Sequence, residues 1–339
     1  MSTLEPPGGP GLPPEAPMTG AGPDAAAPEP PSLPVRFAAV IHSPGATLRG
    51  VSERPSWVGA LAIYLAIVAI ATLVYSLNVD WEGMWRTQLE SSIGWQLASS
   101  LFGEDQLDTI EKTSLNEILS LGRGGMALNT TLQSVFGTVV VFHFMLILFV
   151  TLFYLMGALA DLRLARVYLD ALLCLLVLIL SAILGAFVRG MFGGDGRAAL
   201  PWQAGLSSLF FIAYLWLLHR SIERQPELRR MASVYAHSFA IPALAAVLLI
   251  VITLVKSEPL TVPGDQVVTS NLGAILGMKT GAFGALLGAL DLFTLWALSV
   301  MAIGFAAASR LSLGTAAAIT FLPWGFYTMA RIALAAAFQ

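Results

Sequence analysis

An all-α bundle of membrane-spanning helices is the fold class that this sequence predicts. Of its 339 residues, 56% are hydrophobic and only 12% are charged, and the mean hydropathy is +0.76. A typical soluble domain carries about 25% charged residues. The apolar residues are grouped in segments of about 20, the length that an α-helix needs to cross a hydrocarbon core of about 30 Å. We therefore expect a polytopic membrane protein.

The chain begins with a segment that offers almost nothing to a core. Residues 1–34 are rich in proline, glycine and alanine, with scattered acids. Such a composition cannot offset the entropy lost on ordering, so a disordered tether is predicted. The segment has neither the basic region nor the apolar region of a secretory signal peptide, which predicts that it stays on the cytoplasmic side.

Residues 35–56 form the next predicted element, an interfacial segment. Apolar residues lie on both sides of Pro44, and the basic residues Arg36 and Arg49 stand near the two ends of RFAAVIHSPGATLRGV. We expect a short segment on the inner membrane face, with its arginines close to anionic lipid head groups.

Seven apolar segments are candidates to cross the membrane. The fourth is the shortest and is alternatively a re-entrant or tilted element, so five or six spans is the alternative count. With the tail inside, the inner loops hold most arginines and the outer segments hold most acids, in agreement with the positive-inside rule. We predict seven spans with a cytoplasmic N-terminus, at residues 57–77, 135–157, 167–188, 204–219, 237–255, 281–308 and 313–338.

An insertion on the outer side, residues 78–134, separates the first two spans. Within residues 84–121, apolar residues recur at steps of three and four, while acids and serines occupy the other positions. This spacing predicts two amphipathic helices that lie on the outer surface or cap the bundle. We expect them to pack or to anchor at the interface; a substrate-capturing lid is the alternative.

The densest charge cluster is the inner loop HRSIERQPELRR. It contains four arginines, Arg220, Arg224, Arg229 and Arg230. Such residues orient a membrane protein through anionic lipid, at about 1 kcal/mol per basic residue. Alternatively, they dock an acidic partner or phosphoinositide-like head groups.

A series of glycines precedes the last two predicted spans. The glycines recur at steps of four, four, three and four, at Gly273, Gly277, Gly281, Gly284 and Gly288. On one helix this spacing gives a smooth strip where another backbone can approach closely. The strip predicts tight packing of the bundle and allows self-association.

Asp291 is the only acid in the apolar segment 281–308. If the span begins at residue 281, Asp291 lies about 15 Å deep, near the midplane. His143 lies about 12 Å deep in the second span by the same arithmetic, so the two could form a proton or cation site. If the span begins near residues 288–291, Asp291 instead caps the helix. A buried structural acid bonded to neighbouring polar residues is the third interpretation.

No catalytic motif stands in the sequence. It contains no HExxH, GxSxG, CxxC or GxxxxGK[ST], its four histidines are scattered, and it has one cysteine. A net charge of -3 provides no basic field for nucleic acid. We expect neither an enzyme nor a protein that binds a cofactor, a metal or nucleic acid.

Three stretches carry a resemblance to a known family: SPGATLRGVSERPSW, RRMASVYAHSFAIPAL and DLFTLWALSVMAIGFAAASRLSLGTAAAITFLPWGF. The chain resembles the Yip family, named for Ypt/Rab-interacting proteins, and is similar to its bacterial branch. The most specific positions are Asp291, Phe293, Trp296, Gly304 and the break at residues 309–314.

The resemblance implies that residues 57–339 are a Yip-like transmembrane domain in a bacterial inner membrane. The family usually has five spans, so the additional apolar segments within 135–219 and the outer insertion depart from its architecture. Its eukaryotic members are linked to vesicle traffic through small GTPases and partner membrane proteins. We predict a non-enzymatic scaffold or adaptor; the alternative is a small transporter or channel that uses Asp291, with or without His143.

Overall fold

The computed structural model describes residues 31–84, 112, 122–191, 196–262, 267–268, 270–278, 281–309 and 311–337. These residues are almost entirely helical and include two isolated β-bridges but no strand. The predicted all-α class is confirmed. The helices are α1 (Leu33–His42), α2 (Pro44–Glu53), α3 (Trp57–Leu77), α4 (Gly122–Leu155), α5 (Leu164–Met191), α6 (Gly196–Glu223), α7 (Pro226–Ser238), α8 (Ala240–Val255), α9 (Leu272–Ile275), α10 (Gly281–Ala289), α11 (Leu292–Ser309) and α12 (Leu313–Ala337).

Six stretches of the described chain are long and apolar enough to cross a membrane, so the protein is an integral, multi-pass membrane protein. The fourth predicted segment, on which the five- or six-span alternative depended, is among the six. The segment predicted as the seventh span forms α12, a helix of 25 residues with Pro323 in its interior, and it is not among the six. The six are Trp57–Leu77, Gly122–Leu155, Leu164–Val188, Gly205–Glu223, Pro226–Val255 and Leu292–Ser309.

The predicted span at residues 281–308 is two helices, which corrects the sequence prediction. α10 ends at Ala289 and α11 begins at Leu292. The nine residues of α10 extend about 14 Å, too short to cross the hydrocarbon core. α10 packs on α12, and α11 is the span.

Two of the predicted segments fall largely outside the described residues. The predicted tail is described only from residue 31, and the predicted amphipathic helices at 84–121 only at residues 84 and 112. The predicted interfacial segment 35–56 forms α1 and α2. Its apolar side chains Phe37, Val40 and Leu48 are buried, so they pack into the bundle instead of facing lipid.

One end of the bundle, which we name the arginine face, is formed by residues 49–57, 156–166, 220–230 and the turn between α11 and α12. Side chains from the α6–α7 junction tie it together. Glu223 Oε1 accepts a hydrogen bond from Trp57 Nε1 at 2.9 Å, and Gln225 Oε1 accepts one from the backbone N–H of Arg163 at 3.2 Å. The predicted inner loops thus meet at one face.

The opposite face joins the end of α3 to the segment after α8. The Tyr75 hydroxyl donates to the Val262 carbonyl at 2.7 Å, and the Asp80 N–H donates to the Leu260 carbonyl at 2.8 Å. A small apolar cluster that includes Met84 fills this corner.

The central helix is α7, which contacts α1, α2, α3, α4, α6 and α11. Every residue from Met231 to Ser238 is buried, although the helix is not apolar. Most buried polar groups have partners: His237 Nδ1 lies 2.8 Å from the Ser233 carbonyl, and Ser238 Oγ donates to the Tyr235 carbonyl at 2.7 Å. His237 Nε2 and Ser233 Oγ are buried without a hydrogen-bond partner among the described residues.

The hairpin of α5 and α6 lies at the edge of the bundle. The two helices pack mainly on each other, and only 6% of the α5 span is buried, against 22–33% of the other five spans. Val167, Cys174, Tyr214 and Leu218 are its main buried contacts with the core. The hairpin is thus an addition to a core formed by the other helices.

Candidate functional site

A cavity of about 740 Å³ opens on the arginine face between α2, α7, α11 and the start of α12. Sites for small molecules usually have volumes of about 300–1,000 Å³. The cavity has a polar side on α2 and α7 and an apolar side on α11 and α12. Its lining residues are Gly45, Arg49, Ser52, Glu53, Arg230, Ile303, Ala306, Ala307, Ala308 and Leu313.

Helix α2 divides its side chains between the cavity and the core. Residues three and four apart share one side of a helix, which places Arg49, Ser52 and Glu53 toward the cavity. Leu48 and Val51, at neighbouring positions, have no exposed surface and pack into the bundle. Pro44 stands in the first turn of α2, where its missing N–H costs no intrahelical hydrogen bond.

Gly304 sets the distance between α11 and the two helices that carry the cavity's charges. A Cβ at Gly304 would lie 2.5 Å from Val234 Cγ1 on α7 and 2.9 Å from Leu48 Cδ1 on α2. These separations are below van der Waals contact, so only glycine fits without movement. The resulting close approach brings Arg49 and Arg230 to the same cavity.

The cavity arginines are not neutralised. Neither Arg49 nor Arg230 has a hydrogen bond from its side chain or an ion pair with another residue in the described part of the chain. Arg49 is exposed and Arg230 is half-buried. Two guanidinium groups and the carboxylate of Glu53 are the charged groups in the described part of the lining.

The four arginines of the predicted inner-face cluster have separate surroundings. The guanidinium of Arg220 lies 5.1 Å from the ring centre of Trp216, a cation–π contact. Arg229 Nη1 is 3.3 Å from Glu223 Oε2, and Arg230 lines the cavity. Arg224 is exposed. The cluster therefore lies on one face, but only Arg230 belongs to the cavity.

Asp291 stands at the N-cap of α11. Its Oδ2 accepts hydrogen bonds from the Thr294 N–H at 2.7 Å and from Thr294 Oγ1 at 2.8 Å, and its Oδ1 accepts a short hydrogen bond from Ser270 Oγ. This geometry agrees with the helix-cap interpretation. It does not agree with the placement of Asp291 near the membrane midplane, because that placement requires a span that begins at residue 281, and the span begins at Leu292.

His143 is bonded to Tyr214 and not to Asp291. The His143 Nδ1 lies 2.7 Å from the Tyr214 hydroxyl, and both side chains are buried. Asp170 on α5 is near enough to act electrostatically on His143 and on Cys174. Its Oδ2 is buried and has no hydrogen-bond partner among the described residues. A polar cluster therefore lies between α4, α5 and α6, where sequence analysis predicted none.

The predicted glycine strip does not lie on one helix. Its members are spread over α9, the following turn and α10. Gly277 has φ 69°, a left-handed conformation that ends α9 and turns the chain. A Cβ at Gly273 would lie 3.1 Å from Gly288 N, so these two glycines do mark a close backbone approach; Gly288 itself faces open space. Gly281 and Gly284 belong to α10.

Comparisons with protein-family models, with curated proteins and with solved structures gave no match to this chain. Within the described residues, no three His, Cys, Asp or Glu side chains are grouped as metal ligands would be. The geometry of the arginine face and of the buried polar cluster is therefore the basis for assigning a function.

Proposed function

We propose that this protein is a non-enzymatic membrane scaffold or adaptor that presents the arginine face to partners on the cytoplasmic side of a bacterial inner membrane. One observation carries the proposal: two part-buried hydrogen bonds tie the arginine face together, while Arg49, Arg224 and Arg230 have no side-chain partner in the described chain. Surfaces that are ordered before binding lose less entropy on association. Unpaired charges on such a surface steer and select an oppositely charged partner.

The helices outside the peripheral α5–α6 hairpin are those to be compared with the five spans of the Yip family. Four of them, α3, α4, the α7–α8 pair and α11, are candidate spans in the described chain, and α12 is a fifth long helix that is not among the candidate spans. Two positions that carry the resemblance, Asp291 and Gly304, have structural roles as a helix cap and a close-packing site.

The partner that fits the arginine face has an acidic surface. Arg220 and Arg224 are exposed next to the α6–α7 junction. Glu223 ties this junction to Trp57 in the first predicted span, and Gln225 ties it to Arg163 in the loop before the third. Another membrane protein or a second copy of this chain can supply that surface. A small GTPase enters as a partner by family analogy alone.

Cross-linking in native membranes, followed by affinity purification of the full chain from mild detergent, tests the proposal. The test variant is Arg220→Glu with Arg224→Glu. The control is Arg123→Glu, which makes the same kind of change at the distal end of α4. We expect the test variant to lose about tenfold in recovered partner, equivalent to about 1.4 kcal/mol, and the control to match the wild type. Equal recovery of partner by all three proteins, or a lone monomer with proton-coupled flux, would contradict the proposal.

A second candidate function, a small transporter or channel, is favoured by the buried polar cluster. Asp291 has its carboxylate occupied by three donors. Asp170 acts electrostatically on His143, and its Oδ2 has no hydrogen-bond partner in the described chain. Reconstituted vesicles separate the two acids. A transporter that uses the cluster loses flux in Asp170→Asn and keeps it in Asp291→Asn; unchanged flux in Asp170→Asn removes this candidate.

A further inference from the structure

We propose that the cavity between Arg49 and Arg230 binds an anionic phospholipid, with the phosphate on the two arginines and one acyl chain against the apolar wall. This inference goes beyond the scaffold role and does not depend on a protein partner. It follows from the charge, the shape and the position of the cavity.

The charge of the lining fits a phosphodiester. Arginine presents donors in a fork that matches phosphate oxygens, and it keeps its charge when partly buried. Arg49 and Arg230 come from different helices and have no acidic partner within 4 Å in the described chain. Glu53 is the one acid in the described lining, so the two arginines are available to a phosphate group.

The remaining lining fits a lipid better than a soluble anion. Opposite the arginines, the wall consists of Ile303, the three alanines 306–308 and Leu313. The alanines leave room because their side chains are single methyl groups. A soluble phosphate cannot use this apolar surface, whereas an acyl chain that enters beside its head group can.

The cavity lies near the ends of three candidate spans, Trp57–Leu77, Pro226–Val255 and Leu292–Ser309, where lipid head groups are expected. Its residues lie where α2 approaches the first span and where α11 turns into α12, at the end of the bundle that holds most described arginines. Basic side chains next to a span are attracted to anionic lipid at this level. The cavity gives that general attraction a defined site.

The experiment measures lipid retained by the purified full chain, with phosphatidylglycerol as the anionic probe. The charge variant is Arg49→Gln with Arg230→Gln, and its matched control is Arg220→Gln with Arg224→Gln, which removes two charges from the same face outside the cavity. Ala307→Trp fills the cavity and keeps both arginines. Thermal unfolding of each variant in detergent reports whether it is folded.

We expect the wild type to retain about one phosphatidylglycerol per chain in native mass spectra. The charge variant should bind it about thirtyfold more weakly, as two basic residues at about 1 kcal/mol each imply. Ala307→Trp should also lose the lipid, while the control should keep it. Because Ala307→Trp leaves the arginines in place, loss of lipid in this folded variant supports the site even if the charge variant does not fold.

Three results would overturn the inference. Equal retention of phosphatidylcholine would show that the arginines do not recognise the anionic head group. Competition by inorganic phosphate at the concentration of the lipid would show a phosphate site without use of the apolar wall. Unchanged retention in folded Ala307→Trp would place the lipid elsewhere. None of these results depends on whether a protein partner exists, so the scaffold proposal is tested separately.

Discussion

A single methyl group at Gly304 should destabilise the bundle. The added Cβ would lie 2.5 Å from Val234 Cγ1 and 2.9 Å from Leu48 Cδ1, and both neighbours are 0% exposed. Leu48 can move the end of its side chain by a small rotation. Val234 cannot do so cheaply, because a β-branched residue in a helix has one strongly preferred rotamer. The clash with α7 therefore decides the outcome.

The magnitude follows from two opposing effects. Overpacking of a filled core costs about 1–3 kcal/mol. Alanine is favoured over glycine inside a helix by about 1 kcal/mol. Gly304→Ala should thus lower the free energy of unfolding by up to about 2 kcal/mol. Gly137→Ala, in the interior of α4 where a Cβ meets nothing within 4 Å, should raise it by about 1 kcal/mol.

Unfolding by SDS titration in mixed micelles measures both variants. The difference between Gly304→Ala and Gly137→Ala isolates the steric cost, about 1–3 kcal/mol. Val234→Ala in the Gly304→Ala background removes the clashing methyl group, so the double-mutant cycle should show favourable coupling. If the two glycine variants are equally stable, or if the coupling is zero, the approach of α11 to α7 does not require glycine and the reasoning is refuted.

The remaining predictions use the same unfolding measurement. Asp291→Ala should lower the free energy of unfolding by about 1 kcal/mol because the cap of α11 is removed, while Asp291→Asn, which can also cap, should be nearly as stable as the wild type. Equal losses of stability in the two variants would argue against a capping role. Tyr214→Phe should lower the free energy of unfolding by about 1–3 kcal/mol because it leaves His143 Nδ1 buried without a partner. Adding His143→Phe to this variant should restore part of the lost stability. A Tyr214→Phe variant as stable as the wild type would contradict this prediction. Gly277→Ala should lower the free energy of unfolding by about 1–2 kcal/mol, because φ at this position is 69° and alanine is strained in the left-handed region. Gly277→Asn should lower it by less, because asparagine tolerates this conformation better. A larger loss of stability in Gly277→Asn than in Gly277→Ala would exclude the left-handed turn.

Span positions follow from sequence where an apolar run has polar ends. The first span was predicted at 57–77 and the structure has α3 at Trp57–Leu77, bounded by Ser56 and Asn78. Length and hydropathy are sufficient to locate this helix, because the apolar run is as long as one span and the residues on both sides of it are polar.

The same criteria fail between residues 281 and 308. Apolar residues continue through α10, the turn and α11, so hydropathy shows one long span. The break is created by groups that are distant in sequence: Ser270 hydrogen-bonds to the Asp291 carboxylate, and Asn271 forms a bridge with Asp291. A hydropathy window cannot report contacts with residues 20 positions away. The cap alternative was open only because Asp291 interrupts the apolar run.

The most buried helix, α7, gave no sign of burial in its sequence. Its composition is polar, and burial follows from the six helices packed around it. The cavity was equally hidden. Arg49 and Arg230 belong to two separately predicted basic segments and lie 181 positions apart in the sequence. Their helices come together through the close approach at Gly304.

Polar groups are satisfied differently at Asp291 and at the arginine face. A proton- or ion-coupled carrier must exchange its proton or ion at a polar group within the membrane. Asp291 cannot do so without unravelling the start of α11, because its oxygens hold three donors of the protein itself. At the arginine face the situation is reversed: Arg49 and Arg230 are accessible and have no partner in the described chain. Groups that function by binding must have capacity left in the folded protein. In the described chain that capacity lies at Arg49 and Arg230 on the arginine face and, inside the bundle, at buried atoms without a partner such as Asp170 Oδ2 and His237 Nε2.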